Sequence, residues 1–248
     1  MKKIISLIFV VLISCFVFSS CGFLDLVLSN SKDNQKDSSK NNGTSTSVAS
    51  KEKSNVAQKE VKIKDSGYSL SKDGDYVYYA FVAKNEDKQT YYEFYEVTIT
   101  AYDENGGVLG TDEQTMGTIA PGETQAFGSS FDISGGKVKK VEFDMDSGES
   151  KTNANSYINS SNFKISQLRD MKDDFDETKF TGKVKNNADS DCESIAITVI
   201  LKNKGKTVYG DTTYVDNVKS SKEKAFQMTA YDVPEYDSFE VYALDWSF

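Results

Sequence analysis

Polar and apolar residues alternate one by one through most of the chain beyond residue 60. In "YYEFYEVTITAY" (91–102), Tyr95, Val97, Ile99 and Ala101 fall on one side while Glu96, Thr98 and Thr100 fall on the other. A period of two is that of a half-buried β-strand. The Val, Ile, Thr, Tyr and Phe content agrees. "YVYYAFVAKN" precedes this run in the same style, and "VKI" and "YSL" open the folded region. "DENGG" then supplies residues that tolerate positive φ, and "VLGT" begins a return strand, so 99–111 reads as a β-hairpin.

The pattern returns about a hundred residues later as "VILKNKGKTVYGD" (199–211). Asn85 meets Asn186 at an offset of 101; Val97, Ile99 and Ala101 meet Ile197, Val199 and Leu201 at 100, as Gly110 meets Gly210. Ala126-Phe127 meets Ala225-Phe226 at 99, and "VEF" (141–143) meets "FEV" (239–241) at 98. The drift falls in loops, as expected between two copies of one fold. The chain therefore reads as all-β: two tandem immunoglobulin-like antiparallel β-sandwich domains, 61–146 and 161–248, joined by a linker at 147–160. There is no Cys–Trp–Cys signature, and the single Trp246 sits in the final strand.

The first sixty residues are different. "MKK" precedes a 15-residue apolar run from Ile4 to Phe18, short for a membrane span. Ser19, Ser20, Cys21 and Gly22 follow and resemble a bacterial lipobox, whose cysteine thiol takes a diacylglycerol and becomes the mature N-terminus. The resemblance implies a signal peptide at 1–20, lipidation at Cys21, and a place on the extracytoplasmic face of a bacterial cell membrane. "LISC" ending at Cys15 fits the same pattern but would cut the apolar run short. An ordinary signal peptide is one alternative, and an uncleaved anchor interrupted by Gly22 and Asp25 is another. From Ser29 to Glu60 there is no aromatic residue, so 21–60 reads as a lipid anchor and disordered tether. Its reach is roughly 30 Å.

Charge and cysteine content narrow the function. The formal charge is −9, and a chain beginning at Cys21 carries −11, which disfavours nucleic acid as a partner. With no histidine, Ser–His–Asp and Cys–His catalysis are impossible; a Ser–Lys pair stays open, but "GSSF" (128–131) reads as a turn entering a strand, and no enzyme or cofactor is expected. With Cys21 lipidated, Cys192 is the sole thiol of the folded region and reads as a bystander.

Asn85 ending one strand, "ITAYD" (99–103) before a Gly turn, "VLGT", and "IAPGET" (119–124) before Phe127 together resemble the bacterial FxLYD-type domain. That domain occurs singly or in tandem on secreted proteins and lipoproteins. The resemblance covers 65–145; the second copy keeps Asn186, Val208, Gly210 and Phe226 but has "VILKN" and "VKSSKEKAF" in place of the motif segments. It implies a structural motif without catalytic residues.

Two stretches are candidate sites. Aligning Tyr68-Ser-Leu70 with Phe163-Lys-Ile165 leaves the second copy an acidic insertion of about six residues, within the region of "RDMKDDFDE" (169–177). Loop carboxylates suit Ca²⁺, but the spacing matches no calcium loop, and a solvated loop is expected. The other stretch is aromatic: ten of the chain's thirty aromatics lie between Tyr68 and Tyr102. Tyr92, Phe94 and Tyr102 have outward parity, and their counterparts are Cys192, Ser194 and Lys202. They form a candidate binding face for an envelope protein or polysaccharide. The alternatives are cover by a loop or by the second domain, or cross-strand pairing on an open sheet. The expected function is a non-catalytic envelope lipoprotein acting as a surface binding module; a structural spacer or accessory subunit is the second reading.

Overall fold

The strands follow the alternation. They are β1 (Val61–Leu70), β2 (Tyr76–Asn85), β3 (Tyr91–Glu93), β4 (Glu96–Tyr102), β5 (Val108–Thr115), β6 (Thr124–Asp132), β7 (Lys140–Asp146) and β8 (Glu149–Lys151). After a 3₁₀ turn (Ser160–Asn162) come β9 (Phe163–Lys172), β10 (Thr178–Asn186), β11 (Cys192–Asn203), β12 (Lys206–Val218), β13 (Glu223–Ala230) and β14 (Ser238–Asp245). This computed structural model describes residues 60–154, 157–172 and 177–247. The segment expected as a signal peptide, with Cys15 and Cys21, and nearly all of the segment expected as a tether lie outside the described residues.

In the first sandwich, sheet β1-β2-β6 faces sheet β5-β4-β7; in the second, sheet β9-β10-β13 faces sheet β12-β11-β14, and every pairing is antiparallel. The inward set is the one the alternation marks: Val97, Ile99 and Ala101 in one core and Ile197, Val199 and Leu201 in the other are all fully buried. Asp103 shapes the hairpin turn, its Oδ1 accepting from the N–H of Asn105 (2.8 Å) and of Gly107 (2.7 Å).

The pairing registers correct two alignments. Val61 pairs with Asn85 just as Phe163 pairs with Asn186. Phe163 therefore corresponds to Val61, not to Tyr68, and the second copy has no insertion. "VKI" and "YSL" belong to one strand, β1. Gly110 pairs with Ala101, whereas Gly210 pairs with Ile200, so the two glycines face opposite sides of their sheets. A Cβ on Gly110 would meet the Phe131 ring at 3.1 Å inside the first sandwich; one on Gly210 would meet Ala80 at 2.4 Å in the other copy.

That contact belongs to a joint between the sandwiches. The outer face of β1-β2-β6 packs on the outer face of β12-β11-β14, with Ala80, Val82, Ala126 and Ile200 buried together and Tyr242 against them. Small residues allow the sheets to approach: a Cβ on Gly67 would fall 1.9 Å from the Thr207 carbonyl oxygen, and one on Gly128 would fall 2.6 Å from the Gly210 carbonyl carbon. Thr198 Oγ1 donates to Ala126 O (3.1 Å) and Thr212 Oγ1 to Gly128 O (2.8 Å). Lys202 reaches Asp65 at 2.6 Å, and Trp246 stacks on Phe127 at 5.2 Å. The described residues lie within one compact unit, Lys53–Phe248.

The segment expected as a free linker is built into this unit. Its β8 pairs with β3, Ile158 is buried in the second core, and the Ile158 N–H donates to Asp245 (3.2 Å). Hydrophobic and hydrogen-bonding groups in "DSGESK" and "YINSS" both find partners, although the polar composition reads as a spacer.

Candidate interaction surfaces

The three outward-parity aromatics do not share a face. Tyr92 is 3% exposed and lies in the first core, its N–H donating to Ile119 O at 3.2 Å and its carbonyl accepting from Ile119 N at 2.9 Å. The cause is Phe94, whose φ of 55° interrupts the extended backbone between β3 and β4. Parity counted on β4 therefore does not carry back to β3, and Tyr92 and Tyr95 both point inward. Phe94 itself is 57% exposed. Tyr102 is half-buried at the far end of β4, with the Lys140 ammonium 4.6 Å over its ring. Eight residues of nearly extended chain set Phe94 and Tyr102 roughly 20 Å or more apart.

Part of the remaining aromatic surplus serves the joint. Tyr78, of outward parity on β2, packs against Tyr209 of the second sandwich at 5.0 Å. Tyr76 stays exposed at the start of the same strand.

The acidic stretch is not a loop over its first half. Residues 169–172 are strand: Arg169, Asp170, Met171 and Lys172 pair with Thr181, Phe180, Lys179 and Thr178. Asp170 accepts from the Tyr236 hydroxyl at 2.7 Å. Residues 173–176 lie outside the described residues. No group of three or more possible metal ligands occurs among the described residues. Cys192 is buried, and burial pushes its thiol up to about 12.

A buried polar cluster, which sequence reading missed, ties the halves together. Tyr95 OH donates to Gln125 Oε1 (2.9 Å), and Gln125 Nε2 donates to Thr118 O (2.8 Å) and Tyr157 OH (3.3 Å). The Tyr157 hydroxyl donates to the Glu123 carboxylate, which also accepts from the N–H of Ala120 (2.7 Å) and Ser160 (2.8 Å). Burial first, then the Glu123 charge, holds the Tyr95 and Tyr157 hydroxyls far above the usual phenol range, so both stay donors. A shallow groove runs alongside, lined in part by Pro121, Glu123, Asn159, Phe163 and Tyr242. Since the cluster's polar atoms bond one another, its role is to brace the connection.

The outer sheet faces that the joint leaves open are sharply different in charge. On β5-β4-β7, Glu96 lies between Thr115 and Asp146, Thr98 between Glu113 and Asp144, and Thr100 between Thr111 and Glu142. Among the described residues of these strands, five carboxylates and one cation, Lys140, thus share one face. Loss of hydration, followed by the neighbouring Glu113 and Asp146, raises the Glu96 carboxyl above its ordinary value. On β9-β10-β13 the outward set is Lys179, Lys183 and Lys185 on β10, with Lys164 and Arg169 beside them on β9. Glu223 bonds Lys183 at 2.7 Å and Glu177 lies 3.6 Å from Lys179; these are the acids of the described strands and their ends on that face. Arg169, Thr181 and Lys183 line a shallow depression at the β9 bulge. "KFTGKVK" (179–185) shows the lysine alternation in sequence, but the opposed acidic face depends on three strands that are distant in the chain. No family model matches this chain, and no curated protein matches it either.

Proposed function

We propose that this chain is a non-catalytic lipoprotein of the bacterial cell envelope, tethered through Cys21, that acts as an interaction module by presenting flat sheet faces. The observation that carries the reading is the joint. It fuses two sandwiches into one body and leaves outer sheet faces, rather than a cleft, as the broad surfaces available to a partner. The order of basic, apolar and small residues ending at Cys21 supports the anchor, and the motif segments around Asn85, 99–103 and 119–124 support kinship with FxLYD-type domains. A protein or polysaccharide of the envelope suits such faces, and Phe94, exposed and held at positive φ between β3 and β4, is a further suitable contact.

The braced connection, with β8 paired to β3 and Ile158 buried in the second core, favours the second reading, a spacer or accessory subunit without a ligand of its own. Labelling cells with a fatty-acid analogue tests the anchor: incorporation should occur in the wild type and vanish in Cys21→Ala. Incorporation that survives the substitution would move the lipid to another cysteine, and none at all would remove the lipoprotein claim. A pull-down from envelope extract separates module from spacer. Capture that falls in Phe94→Ser or Glu113→Lys supports a module; capture of nothing by the wild type supports a spacer.

A further inference from the structure

The two open faces are the repeat counterparts of the two faces that the joint buries. Register makes the correspondence explicit. Val82 pairs with Ala126 as Lys183 pairs with Ala225, and Ala80 pairs with Gly128 as Thr181 pairs with Gln227. The basic face is therefore the second copy's version of the joint face on β1-β2-β6. In the same way, Thr198 pairs with Thr212 and Tyr242 as Thr98 pairs with Glu113 and Asp144. The acidic face is thus the first copy's version of the joint face on β12-β11-β14. Within the chain the two kinds of face meet; at its ends each is unoccupied and the charges are opposite.

We propose that the partner of these faces is a second copy of this chain, stacked so that the acidic β5-β4-β7 face of one molecule lies on the basic β9-β10-β13 face of the next. This deepens the interaction-module reading and rests on it. Repeating the geometry of the joint puts Lys183, the counterpart of Val82, against Thr100 and Asp144, the counterparts of Ile200 and Tyr242, which cluster with Val82 inside the chain. Because the two faces differ, the contact is head-to-tail, so it generates open stacks or closed rings rather than two-fold dimers.

The end faces are built for a looser contact than the joint. Arg169 stands where Gly67 stands, Gln227 where Gly128 stands, and Thr111 where Gly210 stands. Backbones cannot approach as closely across these longer side chains, so attraction comes from charge. Complementary charge favours encounter and register, and it is screened by salt. The intrachain joint is therefore permanent, and the interchain contact is reversible.

Sedimentation velocity on the full chain, in mild detergent to keep the apolar N-terminal run from associating, tests the proposal. At about 0.01 M salt, concentration-dependent multimers should form, and at about 1 M salt they should dissociate. Lys183→Glu and Asp144→Lys should each weaken association at least about tenfold. An equimolar mixture of the two variants should form multimers again, because wild-type contacts and charge-reversed contacts between positions 183 and 144 alternate along the stack. Both changes in one chain should restore the multimers. Both positions face solvent, and far-UV circular dichroism checks that each variant is folded. Monomers at low salt, multimers indifferent to either substitution, or a mixture no more associated than its components would overturn the proposal. So would polyphosphate binding that depends on Lys183 in a chain that stays monomeric, since it would assign the basic face to an anionic polymer. Any of these results leaves the interaction-module reading standing if envelope capture persists.

Discussion

The most informative single residues are those that the two copies keep or lose. Asn85 and Asn186 are fully buried and do the same work. Each Nδ2 donates to a carbonyl a few residues on (Thr90 and Ser190, both 2.8 Å) and to one from a distant loop (Ala120 at 3.0 Å, Val218 at 3.1 Å). Each Oδ1 accepts from the residue two further along. Asn→Ala at either site leaves several buried groups unpaired, and urea denaturation should show a loss of about 2–4 kcal/mol. Asp211 illustrates the opposite case. Its counterpart Asp112 accepts from Tyr79 OH at 2.7 Å and Gln114 Nε2 at 3.1 Å, but Phe180 replaces the tyrosine in the second copy. Burial raises the Asp211 carboxyl to about 6. A raised folded-state value means that the favourable contribution is complete below about pH 4 and is lost as pH rises through about 6. Stability should therefore fall by on the order of 1–2 kcal/mol across that window from this group, and Asp211→Asn should flatten the decline.

At the level of elements, the joint depends on what its strands lack. β1 crosses the second sandwich at Gly67, where a Cβ would sit 1.9 Å from a backbone carbonyl that cannot swing aside. Gly67→Ala should therefore separate the sheets and cost about 2 kcal/mol, seen as a Tm lower by about 5 °C. β3 shows how one backbone angle redirects an element. The positive φ at Phe94 turns Tyr92 into the core, where it helps fill the space between the sheets, and pairs β3 with the connecting β8. A strand pattern read by parity alone has no access to such a break, because phenylalanine does not announce a left-handed conformation as glycine does.

For the whole molecule, the joint makes the sandwiches unfold together. Trp246 is a natural reporter, since it stacks on Phe127 of the first sandwich while belonging to the end of the second. Its fluorescence and the far-UV circular dichroism should lose signal in coincident transitions in the wild type. In Gly67→Ala the fluorescence change should come first. Coincidence in both proteins would mean that the glycine approach does not govern coupling between the halves.

Alternation of polar and apolar residues is a local steric property, so the strands, the two inward sets at 97–101 and 197–201, the main hairpins and the doubling of the fold were legible in the amino-acid sequence. So was the correspondence of Asn85 with Asn186, whose shared hydrogen bonds only the fold supplied. Other features were decided by contacts between residues far apart. Which glycine faces inward, which connection is built into the structure, which aromatics are covered and which charges gather on one face all depend on strand pairing and on the packing of one sandwich against the other. A strand carries its two faces in its own sequence, but only the fold determines what lies next to each of them.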